Sequence, residues 1–414
     1  PNRHPRGQCN LSTPRSSLPV AIVTPAYPPD RGGLALAVSR LVRQLRPRLS
    51  LEVIALSRAD TRPTVTVATD GDVSVLRVVA PTWADAQRQT FRLLRERGPY
   101  RLLHGIYPGL TGFPVALAAR VTATPFVLTA RGDDLRRDSF DPERQGGLLY
   151  ALQRADATVG LSRDLCQLAI DLGATGQVRR IPNSVDCVRF QPVAPEPSRL
   201  EALDLAEARP RLGFVGEASE QNGLPTMLDA LASLRRHHPR AILLLIGGVR
   251  EDARPILAEF LAAQPDLRPA VREVPWLPQE RLAAHYGLLD VCWYPAPGDG
   301  PSNAVLEALA CEVPVIAGQT GDIAELFADT SLISLLVPPD NPQALADTTL
   351  RLLRLKPEAR AELGATGRDL AMLRLTANAE VNAYLDLYGE LDKVAVSRPL
   401  FDAPPAAYPV RGPE

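Results

Sequence analysis

The 414-residue sequence has almost no lysine: of its 46 basic residues only Lys356 and Lys393 are not arginine. Together with 40 prolines, this reads as a compositional bias of the kind a GC-rich genome produces, and it carries no chemistry. The cysteines are few and scattered. Cys9, Cys166, Cys187, Cys292 and Cys311 are an odd set with no C-x-x-C spacing, which argues against a disulfide scaffold and against a zinc site. Reduced thiols and a cytoplasmic location are the expectation. Excess charge is missing too. A formal net charge of −1 gives no broad field to attract nucleic acid. No apolar run reaches the length of about 18 residues that a membrane-spanning helix needs. No G-x-G-x-x-G follows a strand pattern, which argues against a nicotinamide-dependent dehydrogenase. No His/Cys/Asp/Glu group has metal-ligand spacing, so neither a metal nor a cofactor is expected.

What is present is a full-sized soluble composition, 45% hydrophobic and 22% charged, in a chain long enough for two α/β domains. Short β-branched runs alternate with stretches of helical periodicity. Val20 to Thr24 reads as a buried strand. After a Pro/Gly loop, Leu34, Ala37, Val38, Leu41, Val42 and Leu45 recur at the three- and four-residue spacing of an amphipathic helix. Strand-like runs follow at Val53–Leu56, Val73–Val79, Leu102–His104, Phe126–Thr129 and Ala157–Leu161. Such alternation predicts parallel sheets covered by helices on both faces. Pro192, Pro195, Pro197 and Pro210 interrupt the pattern, after which it restarts at Leu212. The expected organisation is a disordered leader over 1–18, a first domain over 19–192 and a linker over 193–209. A second domain over 210–372, a C-terminal helix over 373–392 that packs back on the first domain, and a disordered tail over 393–414 complete it. Ligands of such sheets sit at the carboxyl ends of the strands, and with two domains the cleft between them is the natural site.

The most informative stretch runs from Asp299 through Gly300, Pro301, Ser302, Asn303, Ala304, Val305, Leu306 and Glu307 to Ala317. A strand ending near Tyr294 is followed by a Pro/Gly loop, and Ser302 or Asn303 is placed to cap a helix. The amides of Ala304, Val305 and Leu306 in its first turn form an anion site suited to a diphosphate. The carboxylates of Asp299 and Glu307 flank that turn, where they can accept hydrogen bonds from sugar hydroxyls. The bland alternative is a surface Asp and a helix-surface Glu.

This stretch resembles the Glu-x7-Glu motif of glycosyltransferase family 4, with Asp299 in the place of the first Glu and Glu307 in the place of the second. The resemblance extends in the same order through Pro25 to Gly33, Ile181-Pro182-Asn183-Ser184-Val185-Asp186, Leu212 to Gly216, Gly223, and Gly321 to Glu325, with Tyr384 and Tyr388 near the end. It covers nearly the whole chain from Val20 to Leu391 and implies a GT-B fold, two Rossmann-like doubly wound domains facing across a cleft. It implies a retaining, metal-independent hexosyltransferase that takes sugar from a nucleotide diphosphate donor to a glycan, lipid-linked or small-molecule acceptor. Glu307 is then expected to hold the donor ribose, and Asp299 to lie beside the transferred sugar. Gly32, Gly33, Gly216, Asn222 and Asn303 are expected against the donor, with Tyr107 on the acceptor side and His104, at the end of the Leu102–Leu103 strand, placed there too, against the plainer reading of a structural histidine. Arg131 is placed among the catalytic residues. At the carboxyl end of a strand it offers a fixed fork of donors for phosphate, and the alternative is a surface pair with Asp133 or Asp134.

The sequence departs from the family in three places. Family members carry an Arg and a Lys shortly after the glycine that opens the second domain, whereas Gly216 is followed here by Glu217, Ala218, Ser219, Glu220, Gln221 and Asn222. A diphosphate leaving group normally needs such a cation, and Arg31, Arg131 and Arg250 are the candidate substitutes. The competing readings are a donor less charged than a nucleotide diphosphate sugar, and a GT-B protein that has lost catalysis and serves as a nucleotide-sugar-binding or partner subunit; a sugar-nucleotide epimerase is a further alternative on the same fold. Asp replaces Glu at 299, and Glu312 stands where the family usually has Gly. Arg40, Arg43, Arg46 and Arg48 offer a basic face for peripheral membrane contact, against the plainer reading of a solvated helix surface.

Overall fold

The computed structural model describes residues 17–295 and 302–397. Two sheets carry the architecture. The first is built from β1 (Val20–Thr24), α1 (Gly33–Leu45), β2 (Leu51–Arg58), β3 (Thr64–Asp70), β4 (Val73–Ala80), α2 (Trp83–Arg97) and β5 (Leu102–Ile106). It continues with α3 (Pro108–Thr122), β6 (Phe126–Ala130), α4 (Asp133–Arg136), α5 (Gln145–Arg154), β7 (Ala157–Gly160), α6 (Arg163–Asp171) and β8 (Gln177–Arg180). Its order is β3-β4-β2-β1-β5-β6-β7-β8, with every pair parallel except β3 on β4.

A single short helix, α7 (Pro197–Ala202), lies in the proline-rich connection. The second sheet follows with β9 (Arg211–Val215), α8 (Leu224–Arg235), β10 (Ile242–Ile246), α9 (Arg254–Ala263), β11 (Val271–Val274), α10 (Gln279–Tyr286) and β12 (Val291–Tyr294). Then come α11 (Asn303–Ala310), β13 (Val315–Gly318), α12 (Gly321–Phe327), β14 (Leu336–Val337), α13 (Pro342–Arg354), α14 (Pro357–Arg374) and α15 (Ala377–Ser397). The order β11-β10-β9-β12-β13-β14 is parallel throughout.

Both faces of the first sheet are buried over its central strands, as parallel sheets require. Ala21, Val23, Leu103, Phe126 and Leu128 point to a core closed by α2, α3, α5 and α6. Their neighbours Val20, Ile22, Leu102, Ile106 and Val127 point the other way, onto α1 and α15. This alternation of side is the period of two that a strand imposes. The second face is completed from the far end of the described chain: Val381, Tyr384, Leu387, Tyr388 and Leu391 of α15 belong to the same cluster as Val38, Leu41 and Leu45 of α1. Ion pairs fasten the helix there, with Arg101 2.5 Å from Asp392 and Arg179 on Glu390. Helix α15 continues to Ser397, past the expected boundary at 392. The expected leader and tail fall largely outside the described residues.

Strand order also fixes where a ligand can enter. In the first sheet the chain winds one way from β1 and the other way from β5; in the second it reverses between β9 and β12. At such switch points the loops beyond the strand ends part and leave a crevice.

Candidate functional site

The residues singled out by sequence gather at these two switch points. Gly32 and Gly33 follow β1, Tyr107 follows β5, Arg131 follows β6, Gly216 follows β9, and α11 follows β12. The two sides touch: Asn303 at the start of α11 donates through Nδ2 to the carbonyl of Gly33, at 3.0 Å. Beside this contact the Arg31 guanidinium lies over the Trp276 ring, 4.7 Å from its centroid. Backbone freedom is used where the wall is thinnest. Gly216 has φ 133°, and a Cβ on its neighbour Gly247 would meet the Gly216 carbonyl at 2.5 Å.

Helix α11 is Ala- and Leu-rich, a strong local helix former, and its N-cap is Ser302, whose hydroxyl accepts from the Val305 amide at 3.4 Å. The Leu306 amide bonds the Ser302 carbonyl. Of the three amides expected to cradle phosphate, Val305 and Leu306 are thus engaged in the cap. Among the described residues the amides of Asn303 and Ala304 have no such partner, and they form the face that points out of the helix start. Asp299 lies outside the described residues.

Glu307 sits one turn into α11 and is 4% exposed. Tyr286 of α10 donates to its Oε2 at 3.0 Å, and Gln279 approaches its Oε1 at 3.4 Å. Burial pushes its carboxyl up to about 7, against the pull of the Tyr286 and Gln279 hydrogen bonds and the Arg40 and Arg189 charges. It lines a shallow pocket, open to solvent, with Ser39 and Arg40 of α1, Asp186 and Arg189 ahead of the connection, and Gln279. The pocket therefore has walls from both domains.

Arg131 does not pair through its side chain with Asp134. That carboxylate accepts from the backbone amides of Arg131, Gly132 and Leu135, bracing the turn after β6. The Arg131 guanidinium instead donates through Nη1 to Asn183 Oδ1. Asn222 is turned into its own loop, Nδ2 donating to the Glu217 carbonyl at 2.9 Å, below the N-cap glycine Gly223 of α8. Arg250 is tied to Asp252 at the surface, 2.6 Å away.

One expectation is corrected. His104 does not line the acceptor side of the cleft. It is fully buried, with Nδ1 2.7 Å from the Tyr388 hydroxyl and Nε2 2.7 Å from Thr129 Oγ1. Burial, with the Arg131 charge, lowers its pKa to about 3, so it is a neutral core histidine. Its strand neighbours Leu102 and Ile106 face α15, and His104 faces the same way. Of the four arginines weighed as a basic face against a solvated helix surface, Arg40 does not belong to that surface. Arg40 turns inward, its Nε 3.7 Å from Glu380 of α15, while Arg48 reaches Asn382. Tyr107 does lie at the strand end, in left-handed backbone at φ 72°, and its hydroxyl accepts from Arg137 at 3.1 Å. Arg40 was read only as part of a basic face, and Arg189, Gln279, Tyr286 and Trp276 not at all; their sequence neighbourhoods carry no signal that sets them apart from surface residues.

Profile comparison assigns residues 32–184 to a glycosyl transferase 4-like domain and residues 209–355 to the glycosyl transferases group 1. A D-inositol 3-phosphate glycosyltransferase of Frankia alni is 30% identical over 72% of this chain and 81% of its own length. The chain is a family 4 glycosyltransferase. An α-maltose-1-phosphate synthase of Mycolicibacterium smegmatis is 27% identical, over 75% of this glycosyltransferase and 82% of the relative. Solved structures share the GT-B fold. Sucrose-phosphate synthase from Thermosynechococcus elongatus superposes with a TM-score of 0.71 at 22% identity, covering 91% of this chain and all of the other. Anabaena HepE in complex with UDP-glucose gives 0.70 at 17% identity, covering 90% and 99%. Among the described residues no helix is long and apolar enough to cross a membrane.

Proposed function

We propose that this glycosyltransferase moves a hexose from a nucleoside diphosphate sugar to a hydroxyl of a glycan, a lipid-linked acceptor or a small molecule, with retention of anomeric configuration. The observation that carries the reading is Glu307: a carboxyl buried at the start of α11, aimed into a pocket whose opposite wall is the other domain. A buried carboxylate that accepts two hydrogen bonds among the described residues has acceptor capacity left for a diol such as ribose. The outward face at the start of α11 suits the diphosphate. The names of relatives are consistent with sugar-phosphate, inositol and lipid acceptors, and the structural neighbour bound to UDP-glucose is consistent with such a donor.

The chemistry follows from this placement. The bond between the anomeric carbon and the diphosphate oxygen breaks, with its electron pair leaving on the phosphate. The acceptor hydroxyl approaches the same face of the sugar, forms the new glycosidic bond, and passes its proton to the departing phosphate oxygen. No protein nucleophile is consumed. What the chain supplies is orientation and charge stabilisation.

A thermal-shift panel of nucleotides and nucleotide sugars, repeated on Glu307→Ala, tests the reading. One diphosphate sugar should stabilise the wild type, and the shift should vanish in the variant. Equal shifts in both would remove Glu307 from the site. Stabilisation of neither by any donor, in folded protein, would favour the non-catalytic GT-B reading.

A further inference from the structure

Two arginines of the first domain converge on one dipeptide from different elements. Arg131, after β6, donates through Nη1 to Asn183. Arg40, on α1, stands 3.7 Å from the Glu380 carboxylate, whose nearer oxygen is taken by the hydroxyl of Ser184. Asn183 and Ser184 are chain neighbours, so the guanidiniums flank a single stretch of backbone. Both are left short of partners. Nε and Nη2 of Arg131, and Nε and Nη2 of Arg40, are buried without a hydrogen-bond acceptor among the described residues. An unpaired buried donor costs about 1–3 kcal/mol, more when charged, and two nearby guanidiniums repel one another. Glu380 balances one of the charges.

The rest of the cleft does not answer this need. Glu307 lines the same pocket as Arg40, but its raised pKa keeps it substantially protonated at neutral pH. The loop from Gly216 to Gly223 offers no cation of its own, Arg250 is committed to Asp252, and Arg31 is held over Trp276. Among the described residues, then, neither the Gly216 loop nor Arg250 brings a free positive charge to the second-domain wall, while the first-domain wall holds two guanidiniums.

We infer that Arg40 and Arg131 form an anion site on the first-domain side of the cleft that takes the diphosphate of the donor. The inference rests on the proposed donor class for its ligand, and on the unpartnered guanidinium N–H groups for its position. Arg131 offers Nε and Nη2, and Arg40 its Nη2 beside the Nε that faces Glu380; planar guanidinium forks of this kind match phosphate oxygens. An anion between them satisfies the buried donors and removes the repulsion in one step. Charge that family members place after the second-domain glycine is thereby supplied across the cleft, so the site is complete only when the two walls meet.

The test uses the full chain and inorganic pyrophosphate, followed by calorimetric titration near pH 7. Pyrophosphate should bind the wild type and compete with a nucleoside diphosphate. Arg131→Gln and Arg40→Gln should each weaken it about tenfold or more, as loss of a charge-assisted hydrogen bond does. Arg48→Gln, an exposed position beyond the same helix, should leave it unchanged. Arg40 also holds α15 through Glu380, so Arg40→Lys serves if the glutamine variant does not fold: it keeps the charge, loses the fork, and should still bind more weakly. Pyrophosphate affinity unaltered in Arg131→Gln, or no binding to the wild type, overturns the inference. Wild-type binding of a diphosphate sugar that is indifferent to both arginines leaves the donor reading standing and this one fallen. Arginine-dependent pyrophosphate binding without any nucleotide binding does the reverse.

Discussion

Replacing Glu307 by glutamine should make the protein more stable at pH 8 and worse at holding its donor, and both effects follow from one buried proton. The Glu307 carboxyl ionises at about 7 in the folded protein, against an ordinary 4.5. Because the native value is raised, the folded state holds a proton that the unfolded chain gives up. The stability this proton contributes is fully present below pH 4.5 and is lost as pH rises through 7. Moving from 4.5 to about 7 at 1.36 kcal/mol per pH unit sets a ceiling of ~3 kcal/mol. Glutamine cannot ionise, so it never bears that cost, and its amide oxygen can still accept from Tyr286. A ligand diol needs the opposite state. It donates to the carboxylate, so donor affinity in the wild type should fall about tenfold per pH unit below 7 and level off above it. Asp134 also has its pKa raised to about 7 by burial, but it is common to both proteins and cancels in the difference. The assay is a pair of melting curves from pH 4.5 to 8.5, with donor titrations at pH 6 and 8. A melting difference that stays flat across this range, or a variant less stable at pH 8, would refute the burial argument. Donor affinity in the wild type that ignores pH would refute the role.

Two further changes probe the frame. Glu312 occupies left-handed backbone at φ 59°, a conformation costing about 1–2 kcal/mol for a residue with a Cβ, while its contact with Arg368 at 3.9 Å is a weak, partly exposed pair. Glu312→Gly should therefore raise the melting temperature by a few degrees, and a lowered one would mean the pair outweighs the strain. Tyr388→Phe leaves His104 Nδ1 without its partner and should cost about 1–3 kcal/mol in chemical denaturation. His104 stays neutral to about pH 3 when folded but protonates near 6.5 when unfolded, so its own contribution to stability is full above pH 6.5 and declines as pH falls, opposite in sign to that of Glu307. A variant that matches wild type in urea at pH 7.5 would show the bond to be idle.

The alternation of strand and helix, the doubly wound sheets and the start of α11 at Asn303 were all legible, because each rests on a local period or a capping residue. Strands β3 and β8 were not. Thr64–Asp70 is solvent-exposed along nearly its whole length and Gln177–Arg180 is short and polar, so neither carries the apolar run by which a strand is read; backbone pairing with β4 and β7 makes them. At the site, Glu307 was legible because a carboxylate stood at fixed spacing from a helix cap. Arg40 and His104 were misplaced for one shared reason. Both are turned inward by α15, through Glu380 and Tyr388, and a partner so far along the chain leaves no trace in local spacing. The turn at Glu312 shows the converse: the sequence puts Glu where the family usually has Gly, and the structure keeps left-handed φ with a side chain that must endure it.

Helix α15 also orders events in time. The face of the first sheet that carries Ile22, Leu102 and Val127 is closed by Tyr384, Tyr388 and Leu391, which leave the ribosome only after the entire second domain has been made. The first domain cannot finish its core by itself during synthesis. Until its last helix arrives it holds an open apolar face, and His104 lacks the Tyr388 hydroxyl that accompanies it into the interior. Either α1 covers that face alone for the interval, or a chaperone does. In this chain the domain that begins folding first is the one completed last.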